Sequence, residues 1–439
     1  MPTHIDLRKE VRTRSQLLIG NGIFRLLAAT GDPMARVLGV RPPADPYPLY
    51  EKIRARGELS RGRFGFYITP SHGLASAMLR DQRLGTVSTA DVNGVDWNVY
   101  PGDAEYLVHP VEDSLLAMNP PEHTRLRRLV SPWFTPRALR DRTERIERIV
   151  ADFLDGVADR GEFELVRDFA IRVPVRVICD LFGIPDSEYQ RFSRWGSILA
   201  GTLDGIRTVR ERRAARDALV GMTGFFDDLI AHRRKQPGDG DVITGLLEAR
   251  PDGEPLDRRD LVALAGLLLG AGFETTVNLI TNGVAALLEN PEAKRLLIEQ
   301  PDRAGDVVEE VLRYDPPVQF TARMTHEPVD YAGVRIPARH LVVLIIGGTN
   351  RDPAVFAEPA RFDVDRPNNR EHLAFSSGIH YCLGAGLARI EGEIALRELF
   401  RRFPRLYRAA PPVRRTGRNI RGLQRMPMRT GTARNVLVS

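Results

Sequence analysis

The sequence predicts a mainly α-helical protein with small β-sheets, an α+β fold organised as one large domain around a long central helix. Helical periodicity dominates the chain after its first 45 residues. An apolar run begins at Leu261, continues past Glu274 and ends near Leu288, which is long enough for a helix that crosses a whole domain. After Pro316 the pattern changes to short, β-branched segments bounded by turn residues, which is typical of small sheets.

The elements follow in order from local signals. Pro120 and Pro136 each open a helix, because the missing N–H of proline costs little in the first helical turn. Residues 82–119 lack periodicity and contain several Gly and Pro, and a loop of that length is usually functional or mobile. Helices are predicted over residues 46–57, 71–80, 120–130, 136–160, 168–182, 187–200, 208–234, 256–289, 291–299, 302–314 and 382–403. Strands are predicted over residues 64–69, 318–323, 329–336 and 341–347, with more short strands after residue 403.

Neither internal repeats nor a flexible linker divide the sequence. This favours one domain over residues 46–439, preceded by an N-terminal extension over residues 1–45. A hydrophobic fraction of 43% and a charged fraction of 27% provide a large core, which excludes a disordered chain. Two cysteines are too few for a secreted disulfide framework and indicate a reducing, cytoplasmic location.

The charge pattern argues against nucleic acid as a partner. The chain has 63 Lys and Arg against 57 Asp and Glu, a net charge of +6. Acidic residues alternate with the arginines, as between Arg140 and Arg148, and no aromatic residues interleave with a basic block. A membrane span is not expected either, because the apolar run has polar residues such as Glu274 and Asn278 at its middle.

Cys382 is the strongest candidate functional residue. It lies where an irregular loop enters a helix, so free backbone amides are expected to stabilise its thiolate. Gly378, Gly384 and Gly386 would let a flat group approach the backbone. A lone thiolate cannot complete a tetrahedral zinc site, whereas thiolate-ligated haem iron needs only one. The alternative is an inert, packed cysteine, which is our interpretation of Cys179 among its apolar neighbours.

The passage from Phe375 to Arg389 closely resembles the haem-binding loop of the cytochrome P450 family, although Ser376 stands where the family usually has Gly. The resemblance covers about Asp45 to the C-terminus. It implies haem b (iron-protoporphyrin IX), with Cys382 as the iron ligand. The other cofactor-binding residues that it implies are Phe375, His380, Gly384, His123, Arg127, Arg323 and Ala271.

The segment from Ala271 to Thr276 lies within the central helix. The hydroxyl of Thr275 can bond to the carbonyl one turn earlier, and Glu274 is an ionisable group in an apolar segment. The two threonines could also be helix-core filler. The segment is similar to the oxygen-activation region of the same family, which implies that Thr275 hydrogen-bonds dioxygen and that Glu274 relays protons.

His123 and Arg127 share one helix face and, taken alone, would be surface charges. The resemblance makes them partners of the haem propionates, together with Arg323 and His380, because buried anions need such donors. Glu310 and Arg313 also share a helix face.

The family resemblance places Glu310 and Arg313 in a buried Glu-Arg-Arg network with Arg361 as its third member. Its role would be to hold the cysteine loop, not to catalyse.

The resemblance implies a haem-thiolate monooxygenase that inserts one oxygen atom from O2 into a small, largely apolar substrate. Electrons from NAD(P)H would arrive through a ferredoxin and a ferredoxin reductase. An acidic partner could be steered by a cationic face that includes Arg125, Arg128, Arg366 and Arg370. Two alternatives stay open, a haem protein of the same fold with a non-oxygenating reaction and a haem-free ligand-binding protein. The substrate itself is not defined by the sequence.

Overall fold

The computed structural model describes residues 22–39, 43–87, 107–204 and 206–431, apart from the single positions 24, 64, 207 and 239. Within these residues the mainly helical fold with small sheets is confirmed. Its helices are α1 Pro33–Val37, α2 Tyr47–Arg54, α3 His72–Met78, α4 Glu122–Val130, α5 Pro136–Ala158, α6 Arg172–Leu181, α7 Tyr189–Gly201, α8 Val209–Lys235, α9 Val242–Glu248, α10 Arg258–Glu289, α11 Pro291–Glu299, α12 Ala304–Tyr314, α13 Ile346–Thr349 and α14 Ala385–Arg402.

Small sheets border the helical core. Their strands are β1 Ser60–Arg61, β2 Tyr67–Thr69, β3 Leu84–Gly85, β4 Glu162–Glu164, β5 Thr321–Thr325, β6 Val329–Tyr331, β7 Val334–Ile336, β8 Leu341–Leu344, β9 Tyr407–Arg408, β10 Val413–Arg414, β11 Leu423–Arg425 and β12 Pro427–Arg429. The largest sheet has the order β1-β2-β8-β5-β3, in which β2 and β8 run parallel.

Helix α10 is the predicted central helix. Asp257 caps it by accepting a hydrogen bond from the amide of Asp260, and most of its side chains are buried against α6, α7, α12 and α14. By length and composition α10 could cross a bilayer, but 78% of its most apolar window is buried inside the protein. That burial is typical of a core helix and does not support a membrane span.

Several boundaries differ from the prediction. The expected strand over residues 329–336 is a hairpin, because Ala332 and Gly333 have φ of 49° and 74° and turn the chain between β6 and β7. The segment over residues 341–347 divides into β8 and the short helix α13. Helix α9 was not predicted, since its seven residues are too few to show a clear period.

The described part of the N-terminal segment includes α1. Asp32 accepts a hydrogen bond from the amide of Ala35 at 2.8 Å and caps this short helix. Met34 and Val37 are buried in a cluster that includes residues of α2 and of the large sheet. Residues 1–21, 24 and 40–42 of this segment, and residues 88–106 of the long loop, lie outside the described residues.

Candidate functional site

The loop that carries Cys382 is folded back on itself by backbone hydrogen bonds. The amide of Cys382 donates to the carbonyl of Phe375 at 2.9 Å, and the amide of Tyr381 donates to the carbonyl of Gly378 at 3.0 Å. Helix α14 therefore begins at Ala385 and not at Cys382, as the sequence had suggested. This turn holds Cys382 in the loop, three residues before α14 begins.

Ser376 adopts the left-handed backbone conformation, with φ of 63°. Glycine reaches this region without steric cost, which explains a glycine at this point of the motif. Serine adopts it here although its hydroxyl, which is buried, has no hydrogen-bond partner. The departure of this chain from the family pattern therefore leaves the turn intact.

The three glycines near Cys382 lack a side chain for different structural reasons. A side chain at Gly378 would overlap the carbonyl of Leu79, and one at Gly386 would lie 2.6 Å from a methyl group of Leu139. Both are required by protein packing. At Gly384 an added Cβ would meet no protein atom within 4 Å. Of the three, only Gly384 fits the expectation of a residue kept small for a bound group.

The two cysteines differ as expected, since Cys179 is buried and Cys382 has accessible surface. The protein around the sulfur still removes enough water to raise the pKa of the Cys382 thiol, although the amide of Gly384 and the charges of Arg127 and Arg389 lower it. One backbone amide, that of Gly384, thus acts in the predicted direction, but burial outweighs it. Coordination to a metal deprotonates such a thiol outright.

A buried carboxylate anchors the cysteine loop to helix α12. Glu309 accepts hydrogen bonds from His372 at 3.0 Å and from Arg389 at 2.5 Å. Burial acts to raise the pKa of Glu309, but these two donors prevail and lower it to about 2. The guanidinium of Arg389 also lies over the ring of Phe375, 4.6 Å from its centre. Phe375 is thereby fixed between the loop and α14.

A second buried pair fixes the segment before this loop. Arg313 binds the carboxylate of Glu310 through two hydrogen bonds of 2.7 Å, and both side chains are fully buried. The remaining donors of Arg313 bind the main-chain carbonyls of Asn350, Pro359 and Arg361.

The prediction that Arg361 is the third member of this network was wrong. Arg361 contributes only its carbonyl, and its guanidinium is 61% exposed and pairs with Glu358. The third buried guanidinium belongs to Arg366, whose Nε lies 3.6 Å from Glu310. Arg366 therefore does not belong to the cationic face proposed from the sequence. Arg366 lies three residues after Asp363 in an irregular segment. No helical or strand period in that segment indicates where its side chain points, so no local signal identified it.

The predicted anion-binding residues meet beside the cysteine loop. The rings of His123 and His380 lie 4.2 Å apart, and Arg127 donates to the carbonyl of Tyr381 at 2.6 Å. His123 is 1% exposed, yet neither of its ring nitrogens has a hydrogen-bond partner. Burial, followed by the nearby His123, Arg323 and Arg127, lowers the pKa of His380 to about 3.

Arg323 completes this group from strand β5. It is 5% exposed, and within the described part of the chain its side chain donates hydrogen bonds only to the hydroxyl of Thr321 and the carbonyl of Ala322. Burial lowers its pKa to about 10. In the described ranges, none of His123, Arg127, Arg323 and His380 has a carboxylate partner. Two of these donors, His123 and Arg323, are buried, and buried donors without an anion are costly for the protein alone and suit a ligand with carboxylates.

Helix α10 presents two different faces at the predicted oxygen-activation segment. Ala271 is exposed and Thr275 is half-buried, although both lie in the middle of a core helix. The hydroxyl of Thr275 donates to the carbonyl of Ala271 at 3.0 Å, as predicted. Gly272 packs against Ile178, so it serves helix packing. Glu274 lies on the buried side, 2% exposed.

Glu274 has two partners that the sequence analysis missed. Ser197 on α7 donates to one carboxylate oxygen at 3.2 Å, and Arg415 pairs with the other. Burial raises the pKa of Glu274, while Arg415 and Ser197 lower it. Ser197 is 77 residues away in the chain, so no local spacing could have revealed the contact.

The structure thus joins the cysteine loop, α4 and β5 into one site. No direct contact between Thr275 and Cys382 is among the described interactions, but α10 packs against α14, which follows the cysteine loop. On the expected cationic face, Arg128 and Arg370 are exposed, whereas Arg125 pairs with Asp260 at 2.7 Å.

The helical fold, the accessible loop thiol and the group of donors that lacks a carboxylate partner among the described residues fit a haem-binding protein, and comparison with known proteins agrees. A sequence profile named Cytochrome P450 matches residues 103–305 and 304–412. The chain is 36% identical to 6-deoxyerythronolide B hydroxylase of Saccharopolyspora erythraea, over 88% of this chain and 96% of that protein. It is 41% identical to vitamin D(3) 25-hydroxylase of Pseudonocardia autotrophica, over 72% and 78% of the two chains.

A solved structure agrees over most of the length. It is P450BioI in complex with hexadec-9Z-enoic acid ligated acyl carrier protein, which is 34% identical and covers 88% of this chain and 98% of its own, with a TM-score of 0.81. The chain belongs to the cytochrome P450 family. It is a haem b monooxygenase that acts on a small molecule and receives electrons from NAD(P)H through a redox partner.

Proposed function

We propose that Cys382 supplies the thiolate ligand of the haem iron. Its side chain has accessible surface, in contrast to the buried Cys179. Gly384, two residues further on, leaves open space where any other residue would place a Cβ. Thiolate-ligated haem, when bound, activates dioxygen so that one oxygen atom enters the substrate.

We further propose that His123, Arg127, Arg323 and His380 bind the two haem propionates. The observation that carries this assignment is His123, which is almost fully buried while both its ring nitrogens have no partner. Such a residue is expected to have a hydrogen-bonding ligand, because an unsatisfied buried polar group costs about 1–3 kcal/mol. Arg323, buried without a carboxylate among the described residues, supports the same conclusion.

The distal chemistry is assigned to helix α10. Thr275 has a hydroxyl on the face of α10 that also exposes Ala271, so it can hydrogen-bond a small polar molecule there. Ala271 borders the cofactor, since its small side chain leaves room on this face. Glu274 delivers the proton that Thr275 or a water passes on, and burial, which raises its pKa, favours uptake of that proton.

The electron donor is proposed to be a ferredoxin served by its reductase, in the cytoplasm. Arg128 and Arg370 are exposed and carry the positive charge that an acidic ferredoxin would recognise. Residues 46–439 form the haem domain in this proposal, with residues 1–45 as its extension.

Carbon monoxide binding to the reduced protein tests the iron ligand. The Cys382→Ala variant should lose the red-shifted ferrous-CO band that marks thiolate ligation, whereas Cys179→Ala should keep it. Retention of that band in Cys382→Ala would show that another residue ligates the iron.

Product yield tests the distal residues. In Thr275→Ala, NAD(P)H oxidation and peroxide release should continue while product falls. An unchanged amount of product per NAD(P)H would contradict the role of Thr275.

A further inference from the structure

The two partners of Glu274 belong to segments that are far apart in the chain. Ser197 lies on α7, and Arg415 lies in the connection between β10 and β11. Ser197 donates a hydrogen bond to one carboxylate oxygen and Arg415 forms an ion pair with the other, so the orientation of Glu274 depends on both segments. At the same time the hydroxyl of Thr275 bonds to the carbonyl of Ala271 and not to Glu274. In this structure the acid is therefore held apart from the hydroxyl it is proposed to serve.

The connection that carries Arg415 is itself fixed to the end of α7. One carboxylate oxygen of Asp204, just after α7, accepts hydrogen bonds from three successive backbone amides, those of Arg418, Asn419 and Ile420. Their lengths are 2.7, 2.5 and 3.1 Å. Gly417 lies so close that an added Cβ would be 2.6 Å from the other oxygen of Asp204. The two segments that hold Glu274 thus form one connected unit.

Arg415 also has access to water. It lines a cavity of about 20 Å³ together with Arg414, Gly417 and Arg421, which is room for about one water molecule. The side chain of Arg415 is 25% exposed, compared with 2% for Glu274. Arg415 therefore contacts both the buried acid and a space that can hold water.

Among the residues that the structure describes, few charged or titratable groups face Glu274. Arg415 is the cation that lowers its pKa, and Asp204 is the acid that raises it. From α7 only the neutral hydroxyl of Ser197 reaches the carboxylate. Along α10, the carboxamide of Asn278 one turn further on is buried and has no partner of its own. Arg415 is consequently the charged group with the largest effect on the ionisation and the orientation of Glu274.

We infer that Arg415 is a positioning residue that holds Glu274 away from Thr275 and sets when this acid takes up and releases its proton. The inference rests on the proposed role of Glu274 as proton relay. While it is paired with Arg415, the Glu274 carboxylate is ionised and directed at the connection between β10 and β11. The pair must open before this carboxylate can take up a proton from solvent, and the neutral carboxyl then passes that proton to Thr275 or to a water and pairs with Arg415 again as a carboxylate.

A thermal-unfolding cycle on the haem-loaded protein tests the pair without using activity. The variants are Arg415→Gln, Glu274→Gln and the double variant, measured at neutral pH and at about pH 5. At neutral pH Arg415→Gln should lower Tm by about 2–4 °C, because an ionised, buried Glu274 loses its partner. In the Glu274→Gln background the same change should cost much less. At about pH 5 the interaction should shrink, since Glu274 without Arg415 becomes protonated.

Arg414→Gln is the matched control, because this neighbouring arginine pairs with Asp315 and not with Glu274. Its effect on Tm should be the same with Glu274 and with Gln at that position. Equal costs of Arg415→Gln in both backgrounds and at both pH values would overturn the inference.

The pH profile of product formed per NAD(P)H provides the functional readout. Removing a cation raises the pKa of Glu274, so the alkaline fall in yield should move to higher pH in Arg415→Gln and return in Arg415→Lys. If Glu274→Gln leaves the yield unchanged, the proposed relay is wrong. If Glu274→Gln lowers the yield but Arg415→Gln leaves both yield and pH profile unchanged, only the role of Arg415 is wrong.

Discussion

Arg313 donates from Nε and Nη2 to the two carboxylate oxygens of Glu310, both at 2.7 Å, and neither side chain has accessible surface. The planar guanidinium uses its other donors on main-chain carbonyls between Asn350 and Arg361. The pair therefore fastens helix α12 to the irregular segment that leads to the cysteine loop. The pair fixes the relative position of these two segments, whereas a buried ion pair as such adds little net stability.

Replacing Arg313 by Lys should destabilise the protein by about 3–5 kcal/mol, since an ammonium group cannot make both bonds and leaves Glu310 buried and underpaired. Denaturant unfolding measures this cost. Arg361→Gln should change stability by less than about 0.5 kcal/mol, because that guanidinium is exposed. A larger loss for Arg361→Gln than for Arg366→Gln would restore the sequence-based assignment.

Ser376→Gly is expected to stabilise the fold by up to about 1 kcal/mol. Serine at φ of 63° carries a left-handed penalty of about 1–2 kcal/mol that glycine avoids, less the entropy that glycine loses on folding. The control is Ser377→Gly, whose φ of −153° is ordinary extended backbone, so this change should be neutral or destabilising. A rise in Tm for both variants would point to a cause other than backbone strain.

Glu391 on α14 predicts a pH dependence of stability. It is 1% exposed and one of its oxygens has no partner, so burial raises its pKa to about 8 from 4.5. The folded state thus favours the protonated acid, and stability falls as pH rises between these values, by up to about 1.4 kcal/mol per pH unit.

Glu391→Gln should remove this dependence. The variant should gain stability over the parent protein as the pH approaches 8 and lose most of that advantage near pH 4.5. Chemical unfolding at several pH values measures the difference. Parallel stability curves for the two proteins would show that Glu391 is not protonated in the fold.

His123→Phe is predicted to accelerate haem loss while leaving the protein no less stable without haem. Both ring nitrogens of His123 lack a hydrogen-bond partner, so burying them costs free energy that no protein contact offsets. A phenyl ring of similar shape has no polar atoms and therefore avoids this cost. Transfer of haem to an excess of an apo-acceptor protein gives the rate of loss. His72→Phe is a surface comparison, since His72 already bonds to the carbonyl of Glu371. Equal rates for His123→Phe and the parent would remove His123 from the propionate site.

The sequence was sufficient wherever the signal was local. The central helix and the proline-initiated helices α4 and α5 follow from period and capping over a few residues, and the cysteine loop was recognised by its resemblance to a known family. The third arginine of the Glu310 network could not be chosen between Arg361 and Arg366, because both lie in irregular backbone where no period fixes the side-chain direction. Likewise Ser197 and Arg415 reach Glu274 only through tertiary packing, which leaves no trace in the neighbouring sequence.

The strand pairing of the last described segment has a consequence for folding order. β12 pairs with β4 and with β9, so the edge formed by residues 162–164 receives its partner only after residues 427–429 are available. The amides that satisfy Asp204 come from the same late part of the chain. A nascent chain lacking these residues holds an unpaired strand edge and a bare carboxylate. Completion of the native topology is therefore a late event in biosynthesis, and contacts of such long sequence separation make it a slow one.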